Sequence, residues 1–107
     1  MKKSILNFGI VGLGAIAEVF HIPALQKIKR AKIIEIYDTD RRRGKSVAKK
    51  FKIDNISQTY DKMLNNRDID IVLILAPNTQ HAPLALKAIN KGKHVLIEKP
   101  IATNHKD

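Results

Sequence analysis

The feature that most constrains this chain lies near its start. A short apolar run, Ile5 to Val11, is closed by Gly12-Leu13-Gly14, and apolar residues follow at helical spacing at Ala15, Ile16, Val19 and Phe20. The run is interrupted only by Asn7, as in a strand buried on both faces. Strand, glycine turn and helix in that order start a βαβ unit. The rest of the chain continues the pattern. Pro23 lacks an N–H and clashes with the turn before it, so it breaks or kinks the first helix. Leu25 and Ile28 mark a second helical piece.

Ile33-Ile34-Glu35-Ile36-Tyr37 reads as a second strand ending at Asp38. Asp40 caps the next helix, whose apolar positions Val47, Ala48 and Phe51 fall on one face. Residues 53 to 59 hold a short edge strand, and Tyr60 to Asn65 a brief helix. Ile69 to Leu75 is the most apolar stretch and reads as a central strand. Asn78 or Thr79 caps a further helix that tolerates Pro83 in its first turn, with Ala82, Ala85, Leu86 and Ile89 as its buried stripe. Gly92 stands where a helix ends in the left-handed conformation. Val95-Leu96-Ile97 is the last strand, followed by Glu98-Lys99-Pro100, and Thr103 or Asn104 looks like the cap of another helix.

Strands alternating with helices predict an α/β fold with a parallel sheet. The strand order expected is 3-2-1-4-5, the first part of a doubly wound, Rossmann-type sheet that is incomplete at its C-terminus. A chain of 107 residues, 44% of them hydrophobic, suffices for one compact domain with a core. With no cysteine, disulfides and thiolate metal sites are excluded. His21, His81, His94 and His105 show no metal-ligand spacing.

Two features compete with this reading. Met1-Lys2-Lys3, the apolar run and Ala15-Ile16-Ala17 imitate a secretory signal with its cleavage site. A buried strand running into a glycine turn explains the same residues, and the later motifs favour it, so the chain is expected in the cytoplasm. No apolar run reaches the ~20 residues of a membrane span. The net charge is +10, with clusters at Lys2-Lys3, Lys27/Lys29/Arg30/Lys32, Arg41-Arg42-Arg43-Lys45 and Lys49-Lys50-Lys52. Such a balance raises the question of a polyanionic partner. No nucleic-acid motif is present, and five aromatic residues offer little for stacking. Solvated helix faces account for the charge.

Four groups of residues carry chemistry. In Gly12-x-Gly14-x-x-Ala17, Gly12 permits the tight turn. Gly14 has no side chain to hold off a pyrophosphate, and Ala17 lets helix and strand pack closely. The helix N-terminus offers N–H groups to phosphate. Asp38 comes 26 residues after Gly12, against the ~20 usual for the acid that binds the adenosine ribose. The extra residues fit the Pro23 break, and a plain capping aspartate is the alternative. Its carboxylate repels a 2′-phosphate and favours NAD, although an arginine among 41 to 43 would suit NADP. Ala76-Pro77-Asn78-Thr79-Gln80-His81 follows the central strand, at the ligand-binding end of the sheet. Asn78 doubles as a helix cap, and His81 as a surface residue. Lys99 follows the last strand, where a lysine can relay a proton or merely be solvated.

Taken together, the glycine loop, His21-Ile22-Pro23-Ala24-Leu25, Asp38, Pro77-Asn78-Thr79-Gln80-His81 and Gly92-Lys93-His94-Val95-Leu96-Ile97-Glu98-Lys99-Pro100 resemble the N-terminal domain of the glucose–fructose oxidoreductase/inositol dehydrogenase (Gfo/Idh/MocA) family. The resemblance covers nearly the whole chain. It implies an NAD(P)-dependent oxidoreductase acting on a sugar, cyclitol or similar carbonyl or alcohol. The cofactor-binding set it implies is Gly12, Leu13, Gly14, Ala15, Ile16 and Asp38. It adds Pro77, Asn78, His81 and Glu98 at the nicotinamide end, with Lys99 between nicotinamide and substrate as the catalytic candidate. Members of that family are much longer and carry a C-terminal substrate domain. Residues 1–107 are therefore expected to be a truncated NAD(P)-binding domain, inactive by itself, whose partners are the dinucleotide and, in a longer form, a small-molecule substrate. Self-association through the last strand is a further expectation. A non-catalytic nucleotide-binding module is the rival function, and a basic nucleic-acid binder the third.

Overall fold

A computed structural model describes residues 4–76 and 78–98, with the side chain of Asn78 excepted. Four parallel strands, β1 (Leu6–Val11), β2 (Ala31–Tyr37), β3 (Ile71–Ile74) and β4 (His94–Ile97), form one sheet in the order β2-β1-β3-β4. The expected edge strand between 53 and 59 shrinks to a single parallel bridge, Ile36 to Ile56. It is held where Ile36 N–H donates to Asn55 O and Ser57 N–H to Ile36 O. Counting that bridge as the third strand returns the predicted order. Asp54 and Asn55 are poor strand residues, which limits the pairing to one residue.

The central strands β1 and β3 are largely apolar and buried because helices cover both sides of them, whereas β4 is exposed except at Val95. Phe8, Ile10, Ile36 and Leu73 face one layer, where they meet Leu13, Ala17, Ile22 and Val47. Val11, Val72 and Ile74 point the other way, to Tyr60, Met63, Leu64 and Ala88. Neighbours such as Ile10 and Val11 go to opposite layers, as the two-residue period of a strand requires.

The first helix departs from expectation. Pro23 does not break it. A π-helical turn, Ala17–His21, runs straight into α1 (Ile22–Gln26), and Ile22 N–H donates to Ala17 O five residues back. The wider turn carries the chain past the proline, which stands at the start of α1 where a missing N–H costs least. Leu25 packs on the core, while Ile28 lies beyond the helix and is exposed.

In α2 (Arg41–Phe51), Asp40 caps as predicted, its carboxylate accepting from Arg42 and Arg43 N–H at 3.0 and 3.2 Å. In α3 (Tyr60–Leu64), Thr59 caps by accepting from Lys62 N–H. The last helix, α4 (His81–Asn90), corrects two expectations. Asn78 and Thr79 do not cap it: Asn78–Gln80 forms a 3-10 turn, and Gln80 takes the cap position without a side-chain bond. Its buried stripe is Leu84, Ala85 and Ala88, whereas Ala82, Leu86 and Ile89 are exposed. The helix is apolar on almost every face, so periodicity alone does not choose the face that meets the sheet. Gly92 ends α4 at φ +79°, as its type predicts.

Candidate dinucleotide site

In a parallel sheet all carboxyl ends lie on one edge, so the loops after β1, β2, β3 and β4 meet there. Gly12 and Gly14 play different parts in the first loop. Gly12 adopts φ +94°, and a Cβ on it would lie 2.6 Å from Ala76 N and 2.7 Å from the Leu75 carbonyl carbon. It is required by the close passage of the loop beneath the end of β3. A Cβ on Gly14 would meet nothing within 4 Å. That side of the loop is open, as the approach of a pyrophosphate demands. Ala17 and Glu18 N–H donate to Gly14 O at 3.0 and 3.2 Å. The N–H groups of Gly14, Ala15 and Ile16 precede those bonds, at the positive end of the helix.

Asp38 joins the loop after β1 to the loop after β2. One carboxylate oxygen accepts from Leu13 N–H and the other from Asp40 N–H, both at 2.8 Å. The same Leu13-facing oxygen lies 3.9 Å from Arg43 Nη1. Of the three arginines named from the sequence, Arg43 is therefore the one the fold brings to the carboxylate. Backbone bonds leave Asp38 further lone pairs, since each carboxylate oxygen accepts more than one hydrogen bond.

Beside Asp38 lies a cavity of about 360 Å³ lined by Gly12, Tyr37, Arg43, Tyr60, Gln80 and Leu84 among others. Tyr37 and Tyr60 stack at 6.4 Å between ring centres. Tyr60 Oη donates to Leu84 O at 2.7 Å. Burial, with a smaller contribution from Asp61, pushes its hydroxyl up to about 12, so the ring remains neutral. Sequence reasoning missed Tyr37, Tyr60, Gln80 and Leu84 as lining residues. Tyr37, Tyr60 and the Gln80–Leu84 stretch are distant from one another in sequence. Gln80 lies within the motif after the central strand, and no local motif marks the other three.

The two later loops are placed as follows. His81 Nε2 lies 2.7 Å from Ala76 O, a contact in which the ring nitrogen donates and which pins the ring to the loop after β3. Glu98 follows β4 on the same edge, and its Oε1 is 4.0 Å from His21 Nε2. Pro77, Lys99 and the Asn78 side chain lie outside the described residues. Among the described residues, no cluster of three or more potential metal ligands occurs, and no helix is long and apolar enough to cross a membrane.

An open glycine, a helix start and an acid at the end of β2 fit a dinucleotide's pyrophosphate and ribose. Comparison with known proteins points to the same class of cofactor. An uncharacterised oxidoreductase of Rhizobium meliloti, ORF334, is 36% identical over 98 residues, covering 92% of this chain and 29% of its own. Glucose-6-phosphate 3-dehydrogenase of Bacillus subtilis is 35% identical over 105 residues, covering 95% and 27%. Among solved structures, GenD2 from gentamicin A biosynthesis, in complex with NAD, superposes with a TM-score of 0.83 at 30% identity, covering 92% of this chain and 28% of its own. The chain thus spans under a third of the length of these relatives. Residues 6–107 match GFO_IDH_MocA, described as an oxidoreductase family with an NAD-binding Rossmann fold. The chain belongs to the GFO_IDH_MocA oxidoreductase family, of which it carries the NAD-binding Rossmann domain.

Proposed function

We propose that this chain is the cofactor-holding part of an oxidoreductase acting on a sugar, a cyclitol or a similar small alcohol or carbonyl compound. The observation that carries the reading is the pairing of Gly14, open on its outer side, with Asp38 at the rim of the adjoining cavity. The dehydrogenase named above acts on a sugar phosphate, which supports the substrate class. When bound, the nicotinamide supplies the hydride chemistry, and the protein supplies position and a proton path. Gly12, Leu13, Gly14, Ala15 and Ile16 hold the pyrophosphate through backbone groups, and Asp38 accepts from the adenosine ribose hydroxyls. By the family resemblance, Pro77, Asn78, His81 and Glu98 serve the nicotinamide end, and Lys99 is the candidate to act on the reacting oxygen.

Titration calorimetry tests this reading. NAD is expected to bind more tightly than NADP, and Asp38→Ala to lose ~10- to 100-fold in NAD affinity, the worth of a charge-assisted hydrogen bond. Equal loss of NAD and NADP, or no loss, would remove Asp38 from the ribose. A second reading, in which NADP is accepted as well, rests on Arg43. Three arginines occupy the first turn of α2, where the helix dipole disfavours cations, and a 2′-phosphate beside Arg43 would offset that repulsion. Arg43→Ala separates the two, because it weakens NADP alone if the arginine serves a phosphate.

A further inference from the structure

The π-helical turn decides where His21 goes. Ala17 and Ile22 are both fully buried in the same layer of the core. Their spacing of five residues suits a π-turn and not an α-helix, in which the residue above Ala17 would be Phe20 or His21. An α-helical path would press the imidazole onto the apolar sheet. The observed path gives that place to Ile22, leaves Phe20 outside at 60% exposure and sets His21 on the rim. There the imidazole is 14% exposed, with Nε2 4.0 Å from the Glu98 carboxylate, which is itself 49% exposed. Phe20 packs edge-on against the ring. A mostly buried polar ring directed at a carboxylate at the end of β4 is otherwise unexplained by the packing.

The end of the sheet that Glu98 occupies follows from the topology. Asp38 puts the adenosine side at β2 and the glycine loop puts the pyrophosphate at β1, so the remaining half of a dinucleotide extends over β3 and β4. We infer that His21 is a positioning residue which, placed by the π-turn, holds the Glu98 carboxylate at the nicotinamide side of the site. This rests on the dinucleotide reading proposed above.

Two ligands read the inference directly. NADH carries the nicotinamide and ADP-ribose does not, while both carry the pyrophosphate and the adenosine ribose. Affinities of the 107-residue chain for each are measured for wild type, His21→Leu, His21→Gln, Glu98→Gln and the His21→Leu/Glu98→Gln double variant, with thermal melts alongside. The expected result is an NADH affinity lowered about fivefold in His21→Leu and in Glu98→Gln, the size of one partly exposed contact to a carboxylate. ADP-ribose affinity stays unchanged, His21→Gln recovers most of the loss because its amide also presents an N–H toward the carboxylate, and the double variant is no worse than either single one. If His21→Leu unfolds the chain, His21→Gln and Glu98→Gln carry the test. Equal loss for both ligands, additive losses in the double variant, or no loss for NADH overturns the inference. Wild type binding neither ligand overturns the dinucleotide reading and this inference with it; wild type binding both, with no selective effect of the variants, overturns this inference alone.

Discussion

The two halves of the sheet are built to different standards. Around β1 and β2, Ile10, Leu13, Ile36 and Val47 are completely buried, and the loops are tied together by Asp38 and by the fit of Gly12 beneath β3. Around β4, Leu96 and Ile97 are 51% and 43% exposed, and Leu86 and Ile89 on the neighbouring α4 are more than half exposed. Among the described residues, no strand pairs with the outer edge of β4. The difference teaches that the β1–β2 end, where the pyrophosphate and adenosine contacts are proposed, is well packed. The β4 end, proposed as the nicotinamide side, rests on sparser contacts, such as that of His21 with Glu98.

If the β1 side is rigid because its loop has no spare room, Gly12 is its most sensitive position. Gly12→Val is expected to cost ~3 kcal/mol or more, from backbone strain at positive φ and overlap with Ala76, read as a lowered urea midpoint. Gly14→Ala changes stability by less than ~0.5 kcal/mol yet weakens NAD by ~10-fold or more as the methyl meets the phosphates. A fold indifferent to Gly12→Val would erase the contrast between the two glycines.

On the β4 side the expected defect is association. Unpaired apolar edges attract other strands, while a net charge of +10 keeps copies apart until salt screens it. Light scattering across a salt series should show oligomers rising with ionic strength, and Ile97→Lys should suppress them. Chains that stay monomeric at high salt would show that the edge is protected.

A further effect is alkaline and belongs to the cavity wall. Burial holds the Tyr60 proton to about 12 in the folded chain, against ~10 when unfolded. Between those values the folded state binds the proton that the unfolded state releases, so stability falls as pH rises from 10 to 12. Melting temperatures over that window should drop less steeply in Tyr60→Phe than in wild type. Parallel slopes would mean that the hydroxyl is as free in the fold as in the unfolded chain.

Much of this was legible in the residues because it depends on neighbours in the chain. The strand that ends before Gly12, the cap at Asp40 and the left-handed Gly92 follow from local period and turn chemistry, and the alternation of strands with helices points to the doubly wound order. Asp38 is placed by its position at the end of β2. What tertiary contacts alone decided has a common physical cause: each case offers nearly equal local solutions, and packing selects one. Pro23 pointed to a break or a kink, and burying Ala17 and Ile22 together produced a π-turn instead. The α4 helix had two apolar faces, and Leu84 and Ala88 met the sheet instead of Leu86 and Ile89. Three arginines were equivalent in sequence, and the path of α2 past β2 brought Arg43 to Asp38. The meeting of His21 with Glu98, 77 residues apart, has no local signature, because only the closure of the parallel sheet brings those two positions to one edge.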